Sequence, residues 1–174
     1  MPPNEISTSA EVSSGLKWGP LAIFIFWLVV IGLLYLVATQ VLKPKPATVT
    51  ANGDLVIPKA RDGHYYAEGT VGGKSVMFMV DTGASTVTVS EALARTAGLG
   101  AGKPTTFQTA NGAMRGRIVN DVPVTLGPIS VSSVRVGVGL VGAEPEEALL
   151  GQSFLGKFDI LMAGDKMTLR VKQP

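Results

Sequence analysis

The sequence predicts an all-β, closed barrel-like domain with one or two short helices, carried behind a single membrane-crossing α-helix. Three observations predict it. No residue from Trp18 to Leu42 is charged, and Leu, Ile, Val and Phe dominate that stretch. From about Gly63 onward, short apolar runs alternate with polar residues and break at Gly, Pro and Asn, the pattern of many short strands joined by turns. Helical signals in that region are confined to one run at 90–97 and one turn at 153–157.

Residues 1–17 are rich in Ser, Thr, Pro and Glu with little to bury, and are expected to be a disordered tail. As a helix, residues 18–42 would extend about 37 Å at ~1.5 Å per residue, enough to cross a lipid bilayer with some tilt. Trp18 lies at one end and Lys17 and Lys43 bracket the span, as interfacial anchors do. A cleaved signal peptide would have a shorter apolar run and a small-residue cleavage site, and a soluble core helix would have a polar face. Neither is found. Lys43, Lys45, Lys59 and Arg61 follow the span, against Lys17 before it, so the positive-inside rule points the C-terminal part to the cytoplasm. Long domains translocate largely regardless of that rule. Residues 43–62, with Pro44 and Pro46, are expected to be a linker, and residues 63–174 the folded domain.

Within the domain, 65–71 and 74–80 read as a hairpin turning at Gly72-Gly73. Ser90 is placed to cap a helix over 90–97, with Gly98 ending it. Thr105–Ala110 and Met114–Val119 flank Asn111-Gly112, a strong hairpin signal. Short runs continue at 122–126 and 129–141, then a polar connection at 144–147. The apolar run Ala148-Leu149-Leu150 ends at Gly151, one helical turn is expected at 153–157, and strands at 158–162 and 167–171 turn at Gly164-Asp165. Many short strands and little helix make a barrel-like all-β domain.

Composition removes several kinds of chemistry. The 174-residue chain has no cysteine, so it has no disulfide, no thiol nucleophile and no thiolate metal ligand. One histidine, His64, cannot supply a site that needs two, and no Gly-x-Ser-x-Gly elbow accompanies it. It is expected to be a solvated residue at a strand start. A net charge of +2 offers no field for nucleic acid, and no metal or cofactor is expected. The acids at 54, 62, 121, 159 and 165 sit where Asp commonly makes turns, and Glu144, Glu146 and Glu147 read as a solvated connection. Carboxylate chemistry is what remains, and its candidate is Asp81. The segment Asp81-Thr82-Gly83-Ala84-Ser85 follows the apolar run Val76–Val80 and precedes Thr86-Val87-Thr88-Val89.

This segment resembles the active-site loop of aspartic proteases, with the Ala that marks the retropepsin branch. Leu149-Leu150-Gly151, followed by Gln152-Ser153-Phe154-Leu155, resembles the second aspartic-protease signature, which braces the catalytic loop. Asn111-Gly112, preceded by Ala110, stands where a retropepsin carries its flap tip. Together with the apolar span, these segments resemble the bacterial membrane-anchored retropepsin-like proteases over roughly 63–174. The resemblance implies a retropepsin-like closed β-barrel and an extended peptide bound under the flap. It also implies a bacterial inner-membrane protein with its domain in the periplasm, the face opposite to the one the lysines suggest. Viral enzymes have Arg where this chain has Gln152, so the ionic brace of the viral kind is not implied.

The chemistry can be argued without the resemblance. Two carboxylates about 3 Å apart cannot both ionise easily, so they share a proton. One is then general base toward water and the other general acid toward the carbonyl. The chain has a single Asp-Thr-Gly and no second copy of the domain, so a complete site needs a homodimer with Asp81 from each chain. Thr82 is expected to hydrogen-bond across the dimer, Gly83 to allow the tight turn, and Ser85 to support the loop. A non-catalytic peptide-binding or assembly module on the same fold is the alternative, and a membrane scaffold a third reading.

Overall fold

The computed structural model describes residues 19–42, 45–109, 112–139 and 146–172. The expected tail at 1–17, the flanking Lys17, Trp18 and Lys43, and the flap-tip residues Ala110 and Asn111 lie outside the described residues. The chain divides into two compact units, one ending at Lys43 and one beginning at Pro44.

The first unit contains helix α1 (Gly19–Leu42), 24 residues long, with a mean hydropathy of 2.9 over its most apolar stretch. Apolar side chains point outward on every side of it, with no polar face. Thr39 returns its hydroxyl to its own helix, donating to the Leu36 carbonyl at 2.8 Å. By length and composition the helix can cross a bilayer.

The second unit runs β1 (Thr48–Val49), β2 (Leu55–Pro58), β3 (Tyr66–Val71), β4 (Lys74–Val80), β5 (Val87–Val89), α2 (Glu91–Thr96), β6 (Lys103–Thr109), β7 (Gly112–Leu126), β8 (Ile129–Val138), β9 (Glu147–Leu150), α3 (Gln152–Leu155), β10 (Phe158–Ala163) and β11 (Lys166–Val171). Six strands close into a barrel in the order β3-β4-β9-β5-β8-β7, with β7 returning to pair with β3. The closing seam is tight. A Cβ on Gly69 would lie 2.1 Å from the Thr125 carbonyl oxygen, so only glycine lets β3 and β7 meet there. β6 extends β7 outward as a long hairpin. Inside the barrel, Phe78, Val87, Val89, Val124, Val136 and Leu150 are fully buried. α2 is capped as its sequence predicts: the Ser90 hydroxyl accepts from the Leu93 N–H, and Gly98 takes φ +64° just beyond the end.

Two expectations change. The runs at 114–119 and 122–126 form one strand, β7, bent at Asp121, which has φ +57° and accepts a 2.6 Å hydrogen bond from Ser133 Oγ. The register against β8 shifts at that bulge. β7 therefore changes its other neighbour from β6 to β3 without leaving β8.

The stretch 43–62, expected as a linker, is partly domain. β2 lies between β1 and β11 in a second, four-stranded sheet that β10 completes, and Leu55 and Ile57 are 1% and 0% exposed. Asp54, 8% exposed, accepts from Arg170 Nε and Nη2, each at 3.2 Å, fixing the same segment to β11. A four-residue run beside prolines looks like a linker in composition. Its partner, β11, lies at the far end of the chain. A chain that starts at residue 63 should therefore lose its cooperative melting transition, whereas one that starts at residue 45 should keep it. Each fully buried aliphatic side chain left without its partners costs about 2–5 kcal/mol. Thermal unfolding by circular dichroism checks this.

Candidate active site

The loop 81–86 has to connect β4 to β5, two strands that β9 separates in the barrel. β4 runs parallel to β9, pairing Val80 with Leu150, and β5 runs antiparallel to it, pairing Thr88 with Leu149. The loop thus crosses over the C-terminal end of β9, and residues 150–153 form the surface it lies on. The Asp81 N–H donates to the Leu150 carbonyl at 3.1 Å. The Gln152 N–H donates to Ala84 O at 2.8 Å, and the Ser153 N–H to Ser85 O at 3.1 Å. Ser153 Oγ accepts from the Val87 N–H at 2.8 Å and donates to Arg135 O at 2.7 Å. Gly151 sits beneath, where a Cβ would lie 2.2 Å from Thr86 O and 2.6 Å from Ala84 O. Of the segment Leu149-Leu150-Gly151, Leu150 and Gly151 lie directly under the loop. Gln152 and Ser153 lie there too.

Asp81 is half-buried at the loop's mouth, while Thr82, Gly83 and Ser85 are exposed and Ala84 is half-buried. Asp81 Oδ1 accepts a 2.9 Å hydrogen bond from the Gly83 N–H, as the Asp-Thr-Gly turn requires. The carbonyl on the other side of that same peptide, Thr82 O, accepts from Gln152 Nε2 at 2.9 Å. The hydroxyl that ties the loop to the barrel is that of Ser153. Ser85 contributes through its carbonyl.

An open cleft of about 510 Å³ lies over Asp81, lined by Ala84, Thr86, Thr88, Leu149, Phe107 and Met114 among others. Thr86 and Thr88 are buried at its base, their hydroxyls 3.3 Å apart. Phe107 and Met114 come from the hairpin β6–β7, so that hairpin walls the cleft. Its predicted tip is described only at Gly112, which has φ +106° and whose carbonyl accepts from Thr109 Oγ1 at 2.8 Å. Sequence reading missed Thr86, Thr88, Phe107 and Met114. A signal for Phe107 existed in Gly116 and Gly137, two glycines inside strands. A Cβ on them would lie 2.6 Å and 2.8 Å from the Phe107 ring.

The other titratable candidates lie elsewhere. His64 is exposed. Asp62 accepts from Tyr66 Oη at 2.7 Å and from the His64 N–H. The Tyr66 hydrogen bond holds the Asp62 carboxyl below its usual range, and the same bond pushes the Tyr66 phenol up to about 12. Among the described residues no group of three His, Cys, Asp or Glu side chains could hold a metal ion.

A family model described as gag-polyprotein putative aspartyl protease matches residues 67–157. The crystal structure of a retropepsin-like aspartic protease from Rickettsia conorii aligns with a TM-score of 0.57 and 31% sequence identity, covering 67% of this chain and 89% of that one. An uncharacterized protein in the cobV 5′ region of Sinorhizobium sp is 31% identical over 135 residues, 73% of this chain and 58% of the relative. An uncharacterized protein of Rickettsia prowazekii (strain Madrid E) is 29% identical over 126 residues, 71% of this chain and 48% of the relative. The chain thus spans about half the length of these two curated relatives.

The packing under the loop makes a sharp prediction. Gly151→Ala should destabilise the domain by about 3 kcal/mol or more, since backbone rather than a flexible side chain must move to admit the methyl group. Ser153→Ala should cost about 1–3 kcal/mol by leaving the Val87 N–H and the Arg135 carbonyl unpaired. Both are read as lowered melting temperatures, and wild-type melting in Gly151→Ala would show the contact to be slack.

Proposed function

The chain belongs to the gag-polyprotein putative aspartyl protease family and has a retropepsin-like fold, and on that premise we propose that it is a membrane-anchored, homodimeric aspartic endopeptidase. Two Asp81 side chains, one from each chain, share a proton and activate the water that attacks the peptide bond. The observation that carries this reading is the presentation of Asp81. Its carboxylate sits at the mouth of an open cleft, held by the Gly83 N–H, on a loop whose outermost residues, Thr82 and Gly83, are exposed. One protomer supplies one such carboxylate, and an exposed loop is where a second copy must arrive for two to meet.

Substrate lies in the cleft as an extended strand, with the β6–β7 hairpin over it and its side chains directed at Leu149, Phe107 and Met114. Thr82 joins the two loops across the dimer. α1 anchors the chain in a bilayer, and the resemblance to bacterial membrane-anchored enzymes favours the inner membrane with the domain on the periplasmic side.

The test is cleavage of unfolded casein by the full chain in detergent micelles, from acid to neutral pH, with Asp81→Asn beside it. The substitution keeps the shape and removes the ionisable group. It should lower the rate by about 10³-fold or more, the range of general acid–base catalysis. Specific activity should also fall on dilution, because a half-site does not work alone. Equal cleavage by Asp81→Asn, in a protein that melts like wild type, would sink the proposal and leave a binding module.

A further inference from the structure

We infer that Gln152 is a positioning residue for Asp81, acting through the Thr82–Gly83 peptide; this rests on the peptidase reading above. That peptide unit is held at both ends. Its carbonyl, Thr82 O, accepts from Gln152 Nε2 at 2.9 Å, and its N–H, on Gly83, donates to Asp81 Oδ1 at 2.9 Å. The side-chain amide of Gln152 and the carboxylate of Asp81 are therefore the two ends of one hydrogen-bonded chain, Gln152 N–H to C=O, then N–H to carboxylate. Rotation of the peptide plane breaks both bonds at once. A donor on the carbonyl also draws electron density from the amide nitrogen and makes the N–H a better donor.

The surroundings single out this contact. Apart from the Ser153 hydroxyl, which holds Val87 just past the loop's end, the rest of the loop is held from below by backbone: Leu150 O on the Asp81 N–H, the Gln152 N–H on Ala84 O, and the Ser153 N–H on Ser85 O. Those bonds need no particular side chain. Thr82 and Gly83 lie beyond their reach at the exposed tip. Among the described residues, the Gln152 side chain is the only one bonded to the Thr82 backbone. Gln152 is placed to do this by its position at the start of α3, one residue after Gly151 turns the chain beneath the loop. Gln152 is itself exposed, so its hydrogen bond contributes little to global stability. Its effect falls on the orientation of a single peptide. A neutral amide does this without a counter-charge beside the paired carboxylates, where a cation would bias their shared proton.

Two substitutions separate this role from a structural one. Gln152→Met keeps the length and loses the donor. Gln152→Glu keeps a donor only while its carboxyl is protonated, and a hydrogen bond made by the neutral form raises that carboxyl above its usual ~4.3. The full chain in micelles is compared with wild type at matched pH. In Gln152→Met, amide hydrogen exchange across 81–85 should quicken about five-fold or more, the equivalent of one net hydrogen bond, with melting within a degree or two of wild type. Its kcat on unfolded casein should fall about ten-fold with KM little changed, since the group positioned acts on the reacting atoms. The ratio of Gln152→Glu to wild-type kcat should be near one at the acid end and decline as pH rises through the carboxyl's range. A ratio flat with pH, or unchanged exchange across 81–85 in Gln152→Met, overturns the inference. If wild type shows no Asp81-dependent cleavage, the peptidase reading falls, and the exchange measurement still decides whether Gln152 holds the peptide.

Discussion

No side-chain atom fits between Gly151 and the carbonyls of Ala84 and Thr86, and the arrangement of the barrel follows from that approach. β9 enters between β4 and β5, which are neighbours in sequence, so the segment joining them has to climb over the end of an intervening strand. The chain can do so within six residues only if the strand beneath ends in a residue without a Cβ and then turns away. Leu150 closes the ladder below, fully buried. Gly151 supplies the clearance, and α3 carries the chain off. The Asp-Thr-Gly loop and the Leu-Leu-Gly segment are thus two halves of a single packing solution. Neither keeps its shape without the other.

The parts of this that were legible in the sequence are those decided locally. The hairpin at Gly72-Gly73, the Ser90 cap, the turn at Gly164-Asp165 and the long apolar helix each rest on residues within a few positions of one another. The loop and the brace could be read because both are short motifs with unusual requirements. What escaped was decided by distant partners. Leu55-Val56-Ile57-Pro58 is a strand because β11 lies beside it, more than 100 positions away, and its local partner β1 is only two residues long. Asp121 looked like the end of a strand because its side chain suits turns, whereas the bulge it makes keeps one strand continuous between two neighbours. The lining of the cleft was hidden for the same reason. Thr86 and Thr88 read as ordinary alternation until the β6–β7 hairpin is set over them.

The site is also divided between rigid and exposed parts. Below Asp81, Val80, Thr86 and Leu150 are buried and hydrogen-bonded into the barrel. Above it, two residues are exposed, and one side-chain amide reaches them. On the dimeric reading proposed above, a carboxylate that meets a second copy of itself would use this division. The barrel sets its position, and the exposed edge leaves room for a partner. β2 and β11 belong to the other, four-stranded sheet, and Leu161, Met162, Val171 and Val49, all on it, are more than half exposed.

The pairing of β4 with β9 has a consequence in time. Asp81 and the residues that shape its loop are separated by about 70 positions, as the Thr82–Gln152 contact is. A chain made from its N-terminus presents α1 before the Asp81 segment, and only much later the strand that must come in between β4 and β5. Long-range parallel pairing is slow to form, because loop closure comes before any contact rewards it. Until residues 150–153 arrive, the Asp81 segment has no surface to lie on and no fixed shape. The geometry of the Asp81 carboxylate is therefore set only once residues 150–153 are in place, and it depends on a pairing made across about 70 positions.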